Sequence, residues 1–359
     1  MFIMGTNLIL WLKLLIKNRF NISIRYIPRV FLISLIVTLF TPLIFYEHFK
    51  YKNKIKATKI KQDPVFIIGH WRSGTTHLQN LLLNDNQFGY LNLVEATFPY
   101  LLLENYKLSR SLMKPLIPKT RPMDSMKMNA DTPQEHEFAL TNLCLLSPLT
   151  SLFFFNKENE YLKYASFTNT TQDEFMKWKE SFTYLLRKLT FKNSGKQLLL
   201  KNPLDSFRIK HLLEMFPNSK FIHIYRNPYE VFFSMIKLYK KNTHLFWLHK
   251  PDFNLETFIF KIYLKLYQKL YEDSLNLRSD QFIEVRYEDL VENPLYELRK
   301  IYEKLSLGDF NLIEERIKQY ITSLREYKVD IYDLTTNAKN LIRSNWSKYI
   351  KKWNYDNIT

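Results

Sequence analysis

The sequence predicts an α/β protein with a central parallel sheet between layers of helix, and three observations carry that expectation. Short runs rich in β-branched and apolar residues (PVFII from Pro64, QLLL from Gln197, KFIHIY from Lys220) each lead within a few residues into a helical pattern. Strand, helix and strand joined this tightly require crossover connections, and hence parallel pairing. Arg72, Lys201 and Arg226 each follow the end of one such run. Ligands of open parallel sheets bind beyond the carboxyl ends of the strands. Three cations on that edge suit a ligand carrying several phosphate or sulfate groups.

With 359 residues, 46% of them hydrophobic, the chain can bury one large core. The organisation expected is an apolar and basic helical segment over 1–62, followed by a catalytic domain over 63–359. A net charge of +17 is compatible with nucleic acid, an anionic membrane or anionic small molecules. The lysines are scattered and no zinc-finger, RNA-recognition or helix-turn-helix pattern occurs, so nucleic acid is not the expected partner. The single cysteine, Cys144, lies in apolar LCLLSP and reads as an inert core thiol, which excludes an internal disulfide. His136-Glu137 begins like a zinc-protease motif, but Leu140 holds the second histidine position, and no metal site is expected.

In the first segment, Val30 to Tyr46 is uncharged and mostly apolar, with Arg25 and Arg29 before it and six lysines from Lys50 to Lys61 after it. Seventeen helical residues reach about 25 Å, short of a hydrocarbon core of roughly 30 Å, and Pro42 is expected to disturb the last turn. Basic residues on both sides give no orientation for a span. The favoured expectation is a monotopic anchor in the membrane interface; a helical hairpin packed on the catalytic domain and a true span are the alternatives.

From Pro64 the pattern becomes strand, loop, helix. Gly69 and Gly74 have the spacing of the phosphate-binding loop G-x-x-x-x-G-K-[ST], and Thr76 supplies its hydroxyl, but the lysine position is Thr75. That lysine reaches the terminal phosphates of a nucleoside triphosphate, so its absence argues against phosphoryl transfer. Arg72 supplies a cation nearby. The whole is expected to be a three-layer P-loop-like fold, with an N-terminal helical membrane-associated segment added.

Further on, GYLNLVEATFPYLLL contains one carboxylate, Glu95, whose apolar setting would raise its pKa towards the range of a base. Asp131, Glu135 and Glu137 gather beside Pro133, with Thr132 placed to cap a helix beginning there. Residues 145–195 read as helical, and Phe153, Phe154 and Phe155 as core rather than a pocket lid. Arg226 closes the strand from Lys220 to Tyr225, and Ser234, eight residues on, lies two turns into the next helix. FIEVR is a further strand, followed by Tyr287, Glu288, Asp289 and Leu290.

Arg72 to Thr76 (RSGTT) resembles the 5′-phosphosulfate loop of the PAPS-dependent sulfotransferases, in the arginine-bearing branch that includes tyrosylprotein and many bacterial enzymes. FIHIYRNPYEVFFSM resembles their 3′-phosphate segment, with RNP in place of the commoner RDP, and YEDL matches a third signature. The glycine-rich RKG loop of cytosolic members is absent, which leaves Arg343 and Lys348 without an assigned contact. The resemblance implies a PAPS donor, with Arg72, Ser73, Gly74, Thr75, Thr76 and His77 at its 5′ end and Arg226, Ser234 and Tyr287 towards its 3′ end. It also implies Glu95 as base, by position; Glu135 and Glu137 are the next candidates with His77 behind them, and Lys201 at its strand end is the expected additional stabiliser of the transferred group. No metal is demanded. The acceptor expected is a hydroxyl or amine on a small molecule, saccharide, lipid or peptide. A PAPS donor places the catalytic domain in the cytoplasm of a bacterium or in a eukaryotic Golgi lumen. A P-loop kinase-like phosphotransferase, or a non-catalytic membrane-bound nucleotide-binding protein, is the alternative.

Overall fold

The computed structural model describes residues 2–121, 126–249, 252–323 and 335–356. A hairpin of α1 (Leu8–Lys17) and α2 (Ile27–Ala57) precedes β1 (Val65–Ile68), α3 (Thr75–Leu82), β2 (Phe88–Gly89), α4 (Leu93–Thr97), α5 (Tyr106–Met113) and α6 (His136–Cys144). Then come α7 (Glu158–Ser166), α8 (Gln172–Lys192), β3 (Gln197–Lys201), α9 (Ile209–Met215), β4 (Lys220–Tyr225), α10 (Pro228–Asn242) and α11 (Leu255–Ser274). The chain ends with β5 (Phe282–Arg286), α12 (Tyr287–Glu292), α13 (Pro294–Leu305), α14 (Asn311–Ser323) and α15 (Thr336–Lys352).

The strands lie in the order β2-β3-β1-β4-β5, and every pairing is parallel. Alternate residues of β1 serve different layers, as the two-residue period of a strand dictates. Phe66 and Ile68 pack with Trp178, Leu185 and Leu189 of α8, Leu212 of α9 and Tyr263 of α11. Val65 and Ile67 pack with Leu78 and Leu82 of α3 and Leu298 and Ile301 of α13. The expected three layers are present. Register places Ile67 beside Lys201 and beside Ile222, so β1, β3 and β4 deliver their carboxyl ends to one edge.

Two boundaries differ from expectation. The helix expected from Pro133 starts at His136, with Glu135 as its N-cap residue. Residues 132–134 are drawn into a short antiparallel bridge instead: Leu93 N–H donates to Thr132 O and Gln134 N–H to Leu91 O, while the Thr132 hydroxyl accepts from Asn129 N–H. Pro42 does not break α2, which runs through it for 31 residues. An internal proline costs about 3 kcal/mol; here Val37 and Ile44, on either side of it, are both packed in core clusters that offset the cost. Of the C-terminal stretch from Tyr327, the part before 335 lies outside the described residues.

The hairpin has two apolar sides. Ile33, Val37, Ile44 and Ile55 of α2 face inward, and Trp11, Leu14 and Leu15 of α1 pack with Phe153, Phe154 and Leu248. Glu47 is buried on the same side, pairs with Lys188 at 2.8 Å, and accepts from the N–H groups of Leu103 and Asn105. Outward, Phe31 (71% exposed), Leu39 (65%) and Phe49 (74%) stand with Leu32, Leu35, Phe45 and Tyr46 on the opposite face of α2. Ile9, Leu12 and Ile16 extend the exposed apolar surface onto α1. By length and composition α2 could cross a membrane, yet its inner face and Glu47 are fastened to the protein body.

Candidate active site

The loop after β1 turns on backbone geometry. Gly69 has φ 139°, and a Cβ there would lie 2.3 Å from the Ile224 carbonyl oxygen, so only glycine lets the loop leave β1 against β4. Its N–H donates to the Ser206 hydroxyl at 2.9 Å, and the Ser73 hydroxyl donates to His70 O at 2.7 Å. His70 is fully buried, and burial pushes its pKa down to about 4, which keeps it neutral. Gly74 then caps α3 with φ 99° and no side chain, leaving the first turn at Thr75, Thr76 and His77 without a side-chain cap. A helix start of this kind favours an anion, by dipole and by amide donors.

The predicted grip residues meet at this point. Arg72 Nε donates to the Ser234 hydroxyl at 2.7 Å, joining the loop to α10. The Tyr287 ring fills the space above Gly74, where a Cβ would come within 2.2 Å of it, and lies edge-on to His77 with centroids 6.2 Å apart. The Arg226 guanidinium sits 4.4 Å from the centroid of the same ring, a cation–π contact, and its Nε donates to Glu230 at 2.7 Å. Behind them Glu288 accepts from Asn227 N–H at 3.0 Å and from the Tyr355 hydroxyl at 2.6 Å, tying the exit of β4 to α12 and the C-terminal segment.

The carboxylates separate into three environments. Glu135 lies 2.9 Å from the Lys201 ammonium at the end of β3; the lysine is 2% exposed and the glutamate 16%. Glu137 is completely buried in a two-pronged pair with Arg208, at 2.6 and 3.0 Å, and accepts a further bond from Asn202. Burial pushes the Glu137 carboxyl up, but the charge and hydrogen bonds of Arg208 outweigh it and hold the pKa below the usual carboxylate value. Glu95 is also buried: it completes the capping box of α4 by accepting from Asn92 N–H, and it pairs with Lys192 in the last turn of α8. Burial lowers the Lys192 pKa to about 8. Of the three acids, only Glu135 touches one of the cations expected at the sheet edge.

Sequence reasoning passed over Ser206, Arg208 and Asn202. Ser206 and Asn202 follow β3 as the hydroxyl and amide of KNPLDS, the kind of polar residues that fasten a strand exit. Nothing local marks Arg208 for full burial.

A parallel sheet whose β1 exit forms a glycine loop on a helix start, with arginines from the loop and from the exit of β4, is an arrangement suited to an anionic ligand such as a nucleotide. A sulfotransferase-family model matches residues 64–311, and the chain belongs to that family. It is 34% identical over 358 residues to omega-hydroxy-beta-dihydromenaquinone-9 sulfotransferase Stf3 of Mycobacterium bovis, covering 99% of this chain and 91% of that one; the Mycobacterium tuberculosis protein of the same name matches equally. The fold resembles crystal structures of sulfotransferase STF1 from M. tuberculosis (TM-score 0.66, 19% identity, 91% of this chain and 87% of that one) and STF9 from Mycobacterium avium (0.60, 17%, 86% and 81%). The chain is therefore a sulfotransferase, and the kinase-like alternative is left without support.

Proposed function

We propose that the chain transfers the sulfuryl group of PAPS to the hydroxyl of a lipid-like acceptor, at the cytoplasmic surface of a bacterial membrane. The observation that carries the donor assignment is the meeting of Gly74, Arg226 and Tyr287, with Arg72 bonded to Ser234, on one sheet edge of a sulfotransferase-family chain. These residues fit a nucleotide with an anionic group at each end: the uncapped start of α3 and Arg72 hold the 5′ end, and Arg226 and Ser234 the 3′ end. Ser73, Thr75, Thr76 and His77 line the first of these and Tyr287 spans both. PAPS supplies an activated sulfuryl group; the S–O bond to the nucleotide breaks as the acceptor oxygen forms its own.

The chain's own work is to orient the acceptor, remove its proton and neutralise the leaving oxygen. Lys201 and Arg72 supply positive charge, and Glu135, beside Lys201, takes the proton. Glu95, the base implied by resemblance, is given a capping role here, and Glu137 a structural one with Arg208. A lipid-like acceptor is supported by the name of the Stf3 relative and by the exposed apolar face of the hairpin, which lies in the interface as a monotopic anchor. Calorimetry with PAP tests the donor site: Arg72→Ala and Arg226→Ala should each lose about 2–5 kcal/mol of binding. Wild-type affinity in both variants would overturn it.

A further inference from the structure

We propose that the groove between the second half of α2 and the middle of α8 is a headgroup site for an anionic phospholipid of the membrane on which the hairpin lies. This rests on the interfacial reading of the hairpin and is independent of which acceptor is sulfated. The groove has a volume of about 420 Å³ and is lined by Lys52, Lys56 and Ile55 from α2 and by Met176, Lys179 and Arg187 from α8. His48, Glu180, Thr183 and Tyr184 complete it. Each set recurs at helical spacing (48, 52, 55, 56; 176, 179, 180, 183, 184, 187), so two helix faces form its walls.

Charge and position both select the occupant. Four permanent cations face one carboxylate, Glu180, across an apolar floor of Ile55, Met176 and the Tyr184 ring. That combination suits a phosphate carried on an apolar stem better than a free anion. Lys52 and Lys56 stand seven residues after Phe45 and Phe49, hence on the same flank of α2 and two turns further along. Phe45 and Phe49 belong to the exposed apolar face, so a headgroup on the lysines leaves its chains beside those rings, at the depth an interfacial helix occupies. On the other flank Lys50 and Lys54 share one carboxylate, Glu104, which Lys50 meets at 2.8 Å, so the excess of charge there is smaller than in the groove.

The test is co-sedimentation of the full chain with vesicles of phosphatidylcholine alone, or of phosphatidylcholine mixed with phosphatidylglycerol. The triple variant Lys52→Gln, Lys179→Gln, Arg187→Gln should lose at least about tenfold in partition onto the mixed vesicles, since each basic residue near an anionic surface contributes roughly 1 kcal/mol. Its partition onto phosphatidylcholine and its PAP affinity should stay at wild-type values. A control triple of equal charge change away from the groove, Lys261→Gln, Lys304→Gln, Lys339→Gln, should lose clearly less. Met176→Trp, which fills the floor without changing charge, should also weaken binding to the mixed vesicles. Equal losses in the two triples, wild-type binding by Met176→Trp, or no binding to any vesicle overturns the groove site; only the last also removes the interfacial hairpin, and none touches the donor site.

Discussion

At the carboxyl edge of the sheet, segments separated by more than a hundred residues converge until single atoms decide the fit: Gly69 against the Ile224 carbonyl, Gly74 against the Tyr287 ring, Arg72 against the Ser234 hydroxyl. On the outer face of α2, Phe31, Leu35, Leu39 and Phe49 come from one continuous helix and stand in solvent. The first region needs particular residues in particular conformations; the second needs only apolar bulk in the right direction. A soft surface like a bilayer imposes no register, whereas a nucleotide with two charged ends imposes several.

Substitution should expose that difference, and the largest effect belongs to the sheet edge. Glu135→Gln should lower kcat by about 10²–10⁴-fold with PAP affinity kept, the range for loss of a general base, whereas Glu95→Gln, which can keep the cap but loses the ion pair with Lys192, should lower thermal stability by roughly 1 kcal/mol and leave most of kcat. The reverse pattern would return the base to Glu95. Next in size, Arg208→Ala should destabilise the fold by about 3–5 kcal/mol in denaturant unfolding, because Glu137 would be left buried and unpaired. The same pair has an acid signature. Since the folded Glu137 pKa is held below its ordinary value near 4.5, the contribution of the carboxylate is complete above that pH and is lost as pH falls through the lower folded value. Stability should therefore fall less steeply with acid in Glu137→Gln than in the wild type. Smallest, Leu39→Asp should cost about 2 kcal/mol in partition onto phosphatidylcholine vesicles, the scale of one apolar side chain, and shift folding stability by no more than roughly 0.5 kcal/mol. A large loss of folding stability there would mean that the outer face is core in some assembly rather than a membrane surface.

The parallel sheet, the loop and the arginines were legible because their signals are local: a strand pattern, two glycines at fixed spacing, a cation at a strand exit. The seventeen-residue apolar run was legible as well, but not its two sides, since periodicity cannot show an inner and an outer face when both are apolar. The helix start at His136 was misplaced by three residues because the backbone of 132–134 is claimed by 91–93, a partner some forty residues away. The resemblance ranks Glu95 ahead of Glu135 as base, but the ion-pair partners of the two acids, Lys192 and Lys201, were not legible because they lie far along the chain from both.

The Tyr287 ring has a consequence for how this protein can vary. It occupies the volume that any side chain at Gly74 would need, and it also carries the Arg226 guanidinium at 4.4 Å. A methyl group added at residue 74 must therefore move the ring, and moving the ring shifts the arginine at the exit of β4. The two ends of the proposed donor grip share one mechanical part, so drift in the loop is constrained by the first residue of α12, more than two hundred residues downstream.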